Sequence, residues 1–328
     1  MTIDLHRRRF IQRSALLGLA AGMAPALAYT PEALRVWRYK GQAPSFLGDA
    51  GQSATPYPVE WVDIPGGTMV LEAFASDSLD YAFMSPVLPL FASAAGNPLV
   101  LIASYQGELY RSGLIVKRGS GIHSAADLKG KRISFVRATD THYLLLNLLR
   151  DNGLALDDVQ ARPMPARDAL IAFQNGHLDA IIAGGIGALQ ALTHMDGELL
   201  ADANRYGCGN YLIATTAKVL AQPGKQAQIA DFLERERATW DWVERNPQAW
   251  AARNETLTGI SRTLYLQQFD QRQRPCRLLP ISDEDIAAQQ HVADLFHDSG
   301  LLRQPVTVRN FWDRRFSSLL GGQQPAAA

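Results

Sequence analysis

The chain has 328 residues and is formally neutral, with 32 Lys and Arg residues against 32 Asp and Glu residues, and 47% of its residues are hydrophobic. Nucleic-acid-binding proteins carry a clustered basic surface, so this charge balance excludes a nucleic-acid partner. The length and apolar content allow a large buried core and favour two domains or lobes.

The N-terminus resembles an export signal. Residues 6–12 read His-Arg-Arg-Arg-Phe-Ile-Gln, and residues 14–28 are apolar and rich in small side chains. This pattern predicts a twin-arginine signal peptide over residues 1–28, cleaved after Ala26-Leu27-Ala28. The apolar stretch is shorter than the roughly 20 residues that span a bilayer, so we expect a periplasmic protein with no stable membrane insertion after cleavage. An uncleaved anchor or a basic N-terminal arm is the alternative.

From Leu34 onward, short β-rich runs alternate with helical patterns, which predicts sheets covered by helices on both faces. In the first set we expect strands at 34–39, 59–64, 79–83 and 99–104, and helices at 68–76 and 87–95. After an extended run at 110–117, the second set has strands at 132–136, 160–163 and 178–183, and helices at 140–152, 166–175 and 187–194. A last extended run, 210–216, leads to a C-terminal part predicted to be all helical, at 226–245, 247–255, 261–269 and 282–299.

The two extended runs join the two sets of elements. A chain that leaves the first set and later returns to it must cross twice, so we expect two α/β lobes with a cleft between them. Ligands of open α/β sheets bind outside the carboxyl ends of the strands. The residues that directly follow each strand are therefore the candidate binding residues.

Glycines, small hydroxyl residues and helix starts occupy these positions. Helix starts offer unpaired N–H donors and the positive end of the helix dipole, which favour an anion. Arg137 adds positive charge beside them. The sequence therefore predicts a site for a small anion, with the candidate ligand-binding residues Lys40, Gly41, Gln42, Gly66, Gly67, Thr68, Ser85, Arg111, Thr139, Thr141, His142, Gly184 and Gly185.

Each candidate also has a purely structural interpretation. Gly66 and Gly67 form a turn, Ser85 precedes a common Pro helix start, and Thr139 with Asp140 caps a helix. His142 lies in the first turn of an apolar helix, and the sequence favours ligand contact and packing equally. Asp140 is assigned to capping, because a carboxylate in an anion site would repel the ligand.

The sequence carries no metal site and no familiar catalytic motif. There is no HExxH, GxSxG or P-loop pattern and no metal-like spacing of Cys and His, so we expect no catalytic residue, no metal and no cofactor. Cys208 and Cys276 leave two possibilities open, a disulfide or two buried thiols.

Several short segments resemble, in the same order, the extracytoplasmic solute-binding proteins of ABC importers for aliphatic sulfonates, taurine and nitrate. The resemblance covers about residues 34–312 and is closest to the aliphatic-sulfonate branch. Its segments are LEA at 71–73, LDY at 79–81, FASAAG at 91–96, AADLKGK at 125–131, ARDA at 166–169, AFQNG at 172–176, LDA at 178–180 and ADLF at 293–296.

The resemblance implies a type II periplasmic-binding-protein fold, with two α/β lobes joined by two crossing hinge segments that close on a sulfonate-like anion. Lobe 1 is expected at 29–114 and 213–328, and lobe 2 at 115–212. The implied partners are an ABC permease and its ATPase. By the same resemblance, the family's ligand-contacting segments fall on Lys40 and Gly41, on the turns at Gly66-Gly67 and Ser85, and on 139–142.

Two positions depart from the family pattern. Sulfonate binders often carry Trp-Asp-Pro after the strand that ends near Ile182, whereas this chain has Gly184-Gly185-Ile186. The change removes the tryptophan side wall of the site, which leaves room for a bulkier organic tail on the sulfonate. It also removes a carboxylate, which disfavours an amino-sulfonate such as taurine. The turn after the third strand, often Gly-Asp, is Ser85-Pro86.

Two other functions stay open. Desulfinases and thiamine-precursor enzymes resemble this family, but a desulfinase needs a nucleophilic cysteine in the cleft, and neither Cys208 nor Cys276 follows a strand end. The export signal also argues against a cytoplasmic biosynthetic role. A ligand-binding sensor component is the other alternative, and the sequence does not separate it from a transport component.

Overall fold

The computed structural model describes residues 32–107, 112–202, 206–272 and 274–321. The chain divides into two units, Met1–Glu32 and Ala33–Ala328, and every element given below belongs to the second. The predicted signal peptide and Arg111 lie outside the described residues. Within the described part of the chain, no helix has both the length and the apolar character needed to cross a bilayer.

The described residues form short strands that alternate with helices, followed by a mainly helical C-terminal part. The strands are β1 (Leu34–Trp37), β2 (Val59–Val62), β3 (Ala82–Met84), β4 (Val100–Gln106), β5 (Ser112–Lys117), β6 (Arg132–Ser134), β7 (Gln160–Ala161), β8 (Ala180–Gly184), β9 (Gly197–Asp202), β10 (Tyr211–Thr215) and β11 (Arg277–Leu279). The helices are α1 (Thr68–Ala75), α2 (Leu88–Ala94), α3 (Asp140–Asp151), α4 (Ala166–Gln174), α5 (Gly185–His194), α6 (Ala217–Leu220), α7 (Pro223–Arg245), α8 (Pro247–Thr258), α9 (Arg262–Asp270), α10 (Asp283–Asp298) and α11 (Ser317–Leu320).

The strands form three sheets, two in the first lobe and one in the second. In the first lobe, β11, β4, β10 and β3 lie in that order, β1 pairs with β2 in parallel, and a parallel bridge from Val36 to Tyr81 joins the two groups. In the second lobe the order is β7-β6-β8-β5-β9. The chain passes from the first lobe to the second between β4 and β5 and returns between β9 and β10. This confirms the predicted fold class, two α/β lobes with two crossing segments, while the residue boundaries of the lobes stay a prediction.

Helices cover both faces of the sheet of the second lobe, as the alternating pattern predicts. Leu114 and Val116 of β5 pack with side chains of α3, whereas Ile115, between them, packs with side chains of α4 and α5. Neighbouring residues of a strand point to opposite faces, so one apolar strand serves two hydrophobic cores.

Helix α3 is buried along most of its length. Its residues from Thr141 to Leu149 are buried. It contacts β5 and β8 of its own lobe and α10 of the first lobe. The leucines at 144–146, 148 and 149 suit this buried position, which lies between the two lobes.

A buried ion pair fixes β1 beside β3. The Asp80 carboxylate is fully buried and accepts hydrogen bonds from the Arg35 backbone N at 2.9 Å, from Arg35 Nε at 3.1 Å and from Lys225 Nζ at 2.8 Å. Burial opposes its ionisation, but these hydrogen bonds hold the pKa of Asp80 below its usual value. Because removal of one partner would leave a buried charge unpaired, the pair specifies this strand alignment.

Two strands of the structure are absent from the sequence prediction. The C-terminal part is not all helical, because β11 adds antiparallel to β4. Strand β9 was not predicted, although it pairs antiparallel with β5 along its length. Both are edge strands whose extended form depends on a pairing partner distant in sequence, and neither carries a long periodic pattern of its own.

The buried carboxyl of Glu236 predicts a pH-dependent stability. Glu236 accepts a hydrogen bond from the Tyr81 hydroxyl, and burial raises its pKa to about 7. A folded-state pKa above the unfolded value means that ionisation opposes folding, so the free energy of unfolding falls as the pH rises from about 4.5 to about 7. We expect Glu236→Gln to remove this loss, on the order of 2 to 3 kcal/mol, when urea denaturation is compared at pH 5 and pH 8.

The matched control is Glu234→Gln, at an exposed position of the same helix. It should leave the difference between the two pH values as in the wild type. An equal effect of both variants would contradict a special role for the buried carboxyl.

Candidate ligand-binding site

The turns predicted to bind the ligand in the first lobe lie at one edge of its sheet. Strands β1, β2 and β3 run parallel to one another. Their last residues, Trp37, Val62 and Met84, therefore end at the same edge, and the segments 38–42 and 63–67 and Ser85 follow directly. This edge is where open α/β sheets bind their ligands.

The Gly66-Gly67 turn lies against Trp37. Trp37 Nε1 donates to the Ile64 carbonyl at 3.1 Å, and a Cβ at position 66 would approach Trp37 Cζ2 to 3.2 Å. Gly67 has φ 62° and ψ −138°, which side-chain-bearing residues rarely adopt. Helix α1 starts at Thr68, an exposed residue, so its first N–H groups point toward this turn.

The segment after β1 combines an exposed cation with a buried turn. Lys40 is exposed, and its charge helps to lower the pKa of Asp63, whose main partner is Arg38. Gly41 has φ +88°, and a Cβ there would lie 3.4 Å from Oδ1 of Asn254. The side chain of Gln42 is almost fully buried. The exposed Lys40 therefore directly precedes the turn at Gly41 and Gln42. Its side chain lies at the surface, near Asp63.

Ser85 is buried at the end of β3. It is 4% exposed, and its Oγ has no hydrogen-bond partner among the described residues. Met84 pairs with Leu212, so the antiparallel register puts Ser85 beside Tyr211 at the start of β10. This hydroxyl therefore has hydrogen-bonding capacity that the described residues do not use.

In the second lobe, β6 and β8 are parallel, so their ends also share an edge. After β6, Thr139 Oγ1 donates to the Val136 carbonyl at 2.7 Å, and Thr141 Oγ1 accepts from the Val136 N–H at 2.9 Å. The two hydroxyls are 2.8 Å apart. They therefore shape the loop before α3, and Thr139 occupies the N-cap position without a side-chain capping bond.

His142 packs between the lobes and also keeps one nitrogen without a partner. Its ring stacks on Phe135 with centroids 4.6 Å apart and meets Phe296 of α10 edge-on at 5.1 Å. Its Nδ1 accepts from the Ala138 N–H at 3.4 Å, so the neutral ring carries its proton on Nε2. The ring is 3% exposed, and Nε2 has no partner among the described residues. The sequence left open whether His142 packs or contacts a ligand, and its position in the structure is compatible with both.

The glycines after β8 lie at the same junction. Gly184 pairs with Ser112 at the end of the strand, and Gly185, with φ +56°, starts α5. Ile186 packs against the hydrophobic core of the first lobe, and α5 contacts α9. This edge of the second lobe's sheet therefore faces the first lobe.

Asp140 connects α3 to both crossing segments. Its carboxylate accepts from Ser112 Oγ at 2.6 Å and from the Tyr211 hydroxyl, besides backbone N–H groups of its own helix start. The predicted capping role is therefore accompanied by hydrogen bonds to the first residues of β5 and β10. Burial is the main cause of its raised pKa, which these hydrogen bonds partly offset.

Neither cysteine forms a disulfide. Cys208 and Cys276 are both free and buried. Burial, with the nearby Asp140 charge, raises the pKa of Cys208 strongly, and burial raises that of Cys276 to about 11. The described residues contain no group of three or more His, Cys, Asp or Glu side chains that would hold a metal ion.

Sequence reasoning missed the residues that tertiary packing brings to this junction. Phe296, Tyr211 and Ser112 contact site residues from elsewhere in the chain, and Asn254 of α8 lies against Gly41 with a fully buried side chain. No local motif marks these residues. The ligand-contacting role of each predicted residue stays a prediction.

Two α/β lobes, joined by two crossing segments and with strand ends facing each other, define the periplasmic-binding-protein class. The chain matches the family described as NMT1/THI5 like over residues 59–250. It is 31% identical over 318 residues to an aliphatic sulfonates-binding protein of Escherichia coli (strain K12), with 92% of this chain and 95% of that protein covered. The chain therefore belongs to the NMT1/THI5-like family, in the group of the aliphatic sulfonate-binding proteins, which confirms the resemblance found in the sequence.

Solved structures agree on the fold. The alkanesulfonate-binding protein SsuA from Xanthomonas axonopodis pv. citri, bound to MOPS, superposes with a TM-score of 0.78 at 26% identity, covering 88% of this chain and all of that one. The desulfurization enzyme DSZB shares the fold alone, with a TM-score of 0.62 at 17% identity, covering 88% and 98% of the two chains.

The buried position of His142 predicts an unusually acidic titration. Burial, followed by the charge of Arg137, lowers its pKa to about 4. Because the pKa is lower in the folded than in the unfolded state, His142 does not oppose folding above about pH 6.5. The free energy of unfolding then decreases as the pH falls toward 4. In an NMR titration the His142 ring should stay neutral to about pH 5, with its resonance identified by its absence in His142→Phe. A midpoint near 6.5 would show instead that the ring is solvated.

The backbone of Gly67 predicts a loss of both stability and ligand affinity on substitution. Gly67→Ala forces an L-residue into a strained conformation and should lower the free energy of unfolding by about 1 to 3 kcal/mol. Realigned N–H groups at the start of α1 should raise the Kd for a sulfonate about tenfold, measured by calorimetry. Gly119→Ala is the control, since Gly119 has φ +71° with open space around it, outside both strand-end edges. An unchanged Kd in Gly67→Ala would remove this turn from the site.

Proposed function

We propose that the chain is a periplasmic solute-binding protein that binds a small organic anion, an aliphatic sulfonate, between its lobes and delivers it to an ABC importer. The observation that carries the proposal is a pair of buried, unpartnered polar atoms at the facing edges, Ser85 Oγ in the first lobe and His142 Nε2 in the second. Both groups can donate a hydrogen bond to a sulfonate oxygen. While Nε2 carries its proton, it cannot accept a hydrogen bond from a donor group.

The energetics suit a binder. A hydrogen bond to a charged group contributes about 1.5 to 3 kcal/mol, and about four such bonds suffice for a micromolar Kd. The serine, the histidine and the first N–H groups of α1 supply donors, and Lys40 supplies positive charge at the rim. Donors from both lobes favour the closed arrangement, because a ligand shifts a conformational equilibrium only through its different affinity for the two states.

We propose binding without catalysis. A desulfinase-type reaction needs a thiolate, and the pKa values of Cys208 and Cys276 are both raised, so these thiols stay protonated at neutral pH. The relatives named as sulfonate-binding proteins agree with this proposal.

The partners and location follow from the proposed role. We propose export by the twin-arginine route, a periplasmic location, and transfer of the ligand to a membrane permease driven by its ATPase. The name of a taurine-binding periplasmic protein of Escherichia coli (strain K12), 28% identical over 211 residues, supports the location. A permease and an ATPase encoded beside this gene would support transport, and a signalling receptor in their place would support a sensor.

The function is tested by thermal shift and calorimetry on the purified mature protein, with alkanesulfonates, taurine, nitrate and sulfate esters. We expect stabilisation by alkanesulfonates, with a Kd in the micromolar range or below. Stabilisation by none of these anions would contradict the proposal.

Variants then connect the binding to the site. Ser85→Ala should raise the Kd about tenfold through the lost hydrogen bond to a charged group. Lys40→Ala should raise the Kd by a smaller factor without unfolding the protein, because its charge is exposed and screened. Lys129→Ala, an exposed lysine of the second lobe, is the charge-matched control. An unchanged Kd in Ser85→Ala would remove this hydroxyl from the site.

A further inference from the structure

Helix α3 divides its buried side chains between the two lobes. Tyr143 and Leu146 belong to the core cluster that is built mainly from residues of the first lobe. Residues three or four positions apart share a face of a helix, so Leu146 lies on the same face as His142 and Tyr143. The leucines that pack in the core of the second lobe, to which the helix belongs, are Leu144, Leu145, Leu148 and Leu149. One face of α3 therefore packs against the opposite lobe.

Helix α10 of the first lobe supplies a matching buried face. Asp285, Gln289 and Phe296 are four and seven residues apart, so they lie on one side of the helix, and all three are buried. Gln289 Nε2 donates to the Pro86 carbonyl at 3.0 Å, in the turn after β3. Phe296 meets the His142 ring edge-on, with centroids 5.1 Å apart. The same face of α10 thus contacts the turn after β3 and helix α3.

Both helices begin beside the crossing segments. Asp285, in the first turn of α10, accepts from Ser104 Oγ at 2.8 Å and from Asn210 Nδ2 at 2.9 Å. Asp140, the first residue of α3, accepts from Ser112 Oγ at 2.6 Å. Ser104 lies in β4, Asn210 directly precedes β10 and Ser112 begins β5. A rotation of one lobe about the crossing segments therefore moves α3 relative to α10.

The lobes are closed at His142. This residue belongs to the facing edge of the second lobe, yet it is only 3% exposed. Phe135 of its own lobe covers one face of the ring, and Phe296 of the first lobe meets it edge-on. Separation of the lobes would withdraw Phe296 and expose the face of α3 that carries Leu146, which is 6% exposed here. These contacts join protein side chains only, so they do not require a ligand.

Contacts of this kind change affinity without touching the ligand. A ligand that binds the closed arrangement has an apparent Kd equal to the intrinsic Kd divided by the closed fraction of the free protein. Buried apolar surface favours the closed state, because opening would return that surface to water. Leu146 has no polar group that could bind an anion, so its effect on affinity passes through this equilibrium.

We propose that the seam formed by His142, Tyr143 and Leu146 of α3 with Phe296 of α10 holds the lobes closed in the absence of ligand, and that Leu146 thereby sets the affinity for the ligand from outside the binding site. The effect on affinity rests on the proposed anion-binding function. The effect on closure does not, because the seam contains protein side chains alone.

The test compares Leu146→Ala with Leu148→Ala, which removes the same side chain from the opposite face of the same helix. Spin labels on Ser53→Cys and His177→Cys, at exposed positions of the first and second lobes, report the distance between the lobes, and the native cysteines are buried. Without ligand, the wild type should show mainly the distance of the described conformation. Leu146→Ala should lower the ratio of closed to open protein about tenfold, and Leu148→Ala should leave it unchanged.

Phe296→Leu tests the seam from the first lobe. It removes the ring that meets His142 while keeping an apolar residue in the core, and it should lower the same ratio severalfold. Calorimetry with methanesulfonate then tests the effect on affinity. The product of Kd and closed fraction should have the same value in the wild type, Leu146→Ala and Phe296→Leu.

The outcomes separate closure from binding. Unchanged distances in both Leu146→Ala and Phe296→Leu would overturn the seam, and so would equal opening in Leu148→Ala, since the effect would then reflect general destabilisation. Opening without the matching change in Kd would overturn the effect on affinity. Opening as expected, with no binding of methanesulfonate or of any other sulfonate, would support the role of the seam in closure and overturn the proposed function.

Discussion

The parallel pairing of neighbouring strands is the constraint on which the candidate site depends. In the first lobe it aligns the ends of β1, β2 and β3, and in the second it aligns those of β6 and β8. The crossing segments enter β5 and β10 at these same edges, where Ser112 pairs with Gly184 and Leu212 with Met84. Backbone hydrogen bonding alone therefore orients both edges toward the junction of the lobes.

Buried polar groups make this junction sensitive to its occupant. Asp140 is bonded to both crossing segments, whereas Ser85 Oγ and His142 Nε2 have no partner among the described residues. In a low-dielectric environment such a donor is costly when alone and strongly stabilising when an anion accepts from it. We propose that an anion supplies the missing partner, and the buried helix α3 contacts elements of both lobes.

The head group of the proposed ligand would be recognised mainly by backbone groups at the strand ends. In the proposed site, the backbone N–H groups of Gly67 and Thr68 bind the anion, and backbone donors do not depend on the identity of the surrounding side chains. The same fold also accommodates the desulfurization enzyme that shares only its architecture.

The sequence by itself determined the alternating α/β architecture, the double crossing, the family and the positions of the strand-end turns, because these depend on local periodicity and on glycine, serine and threonine at fixed places. Only the tertiary structure decided that β9 and β11 are strands and that His142 lies between Phe135 and Phe296. Edge strands take their conformation from partners distant in sequence. The environment of a side chain is likewise set by residues that only the folded chain brings together, so no local pattern encodes it.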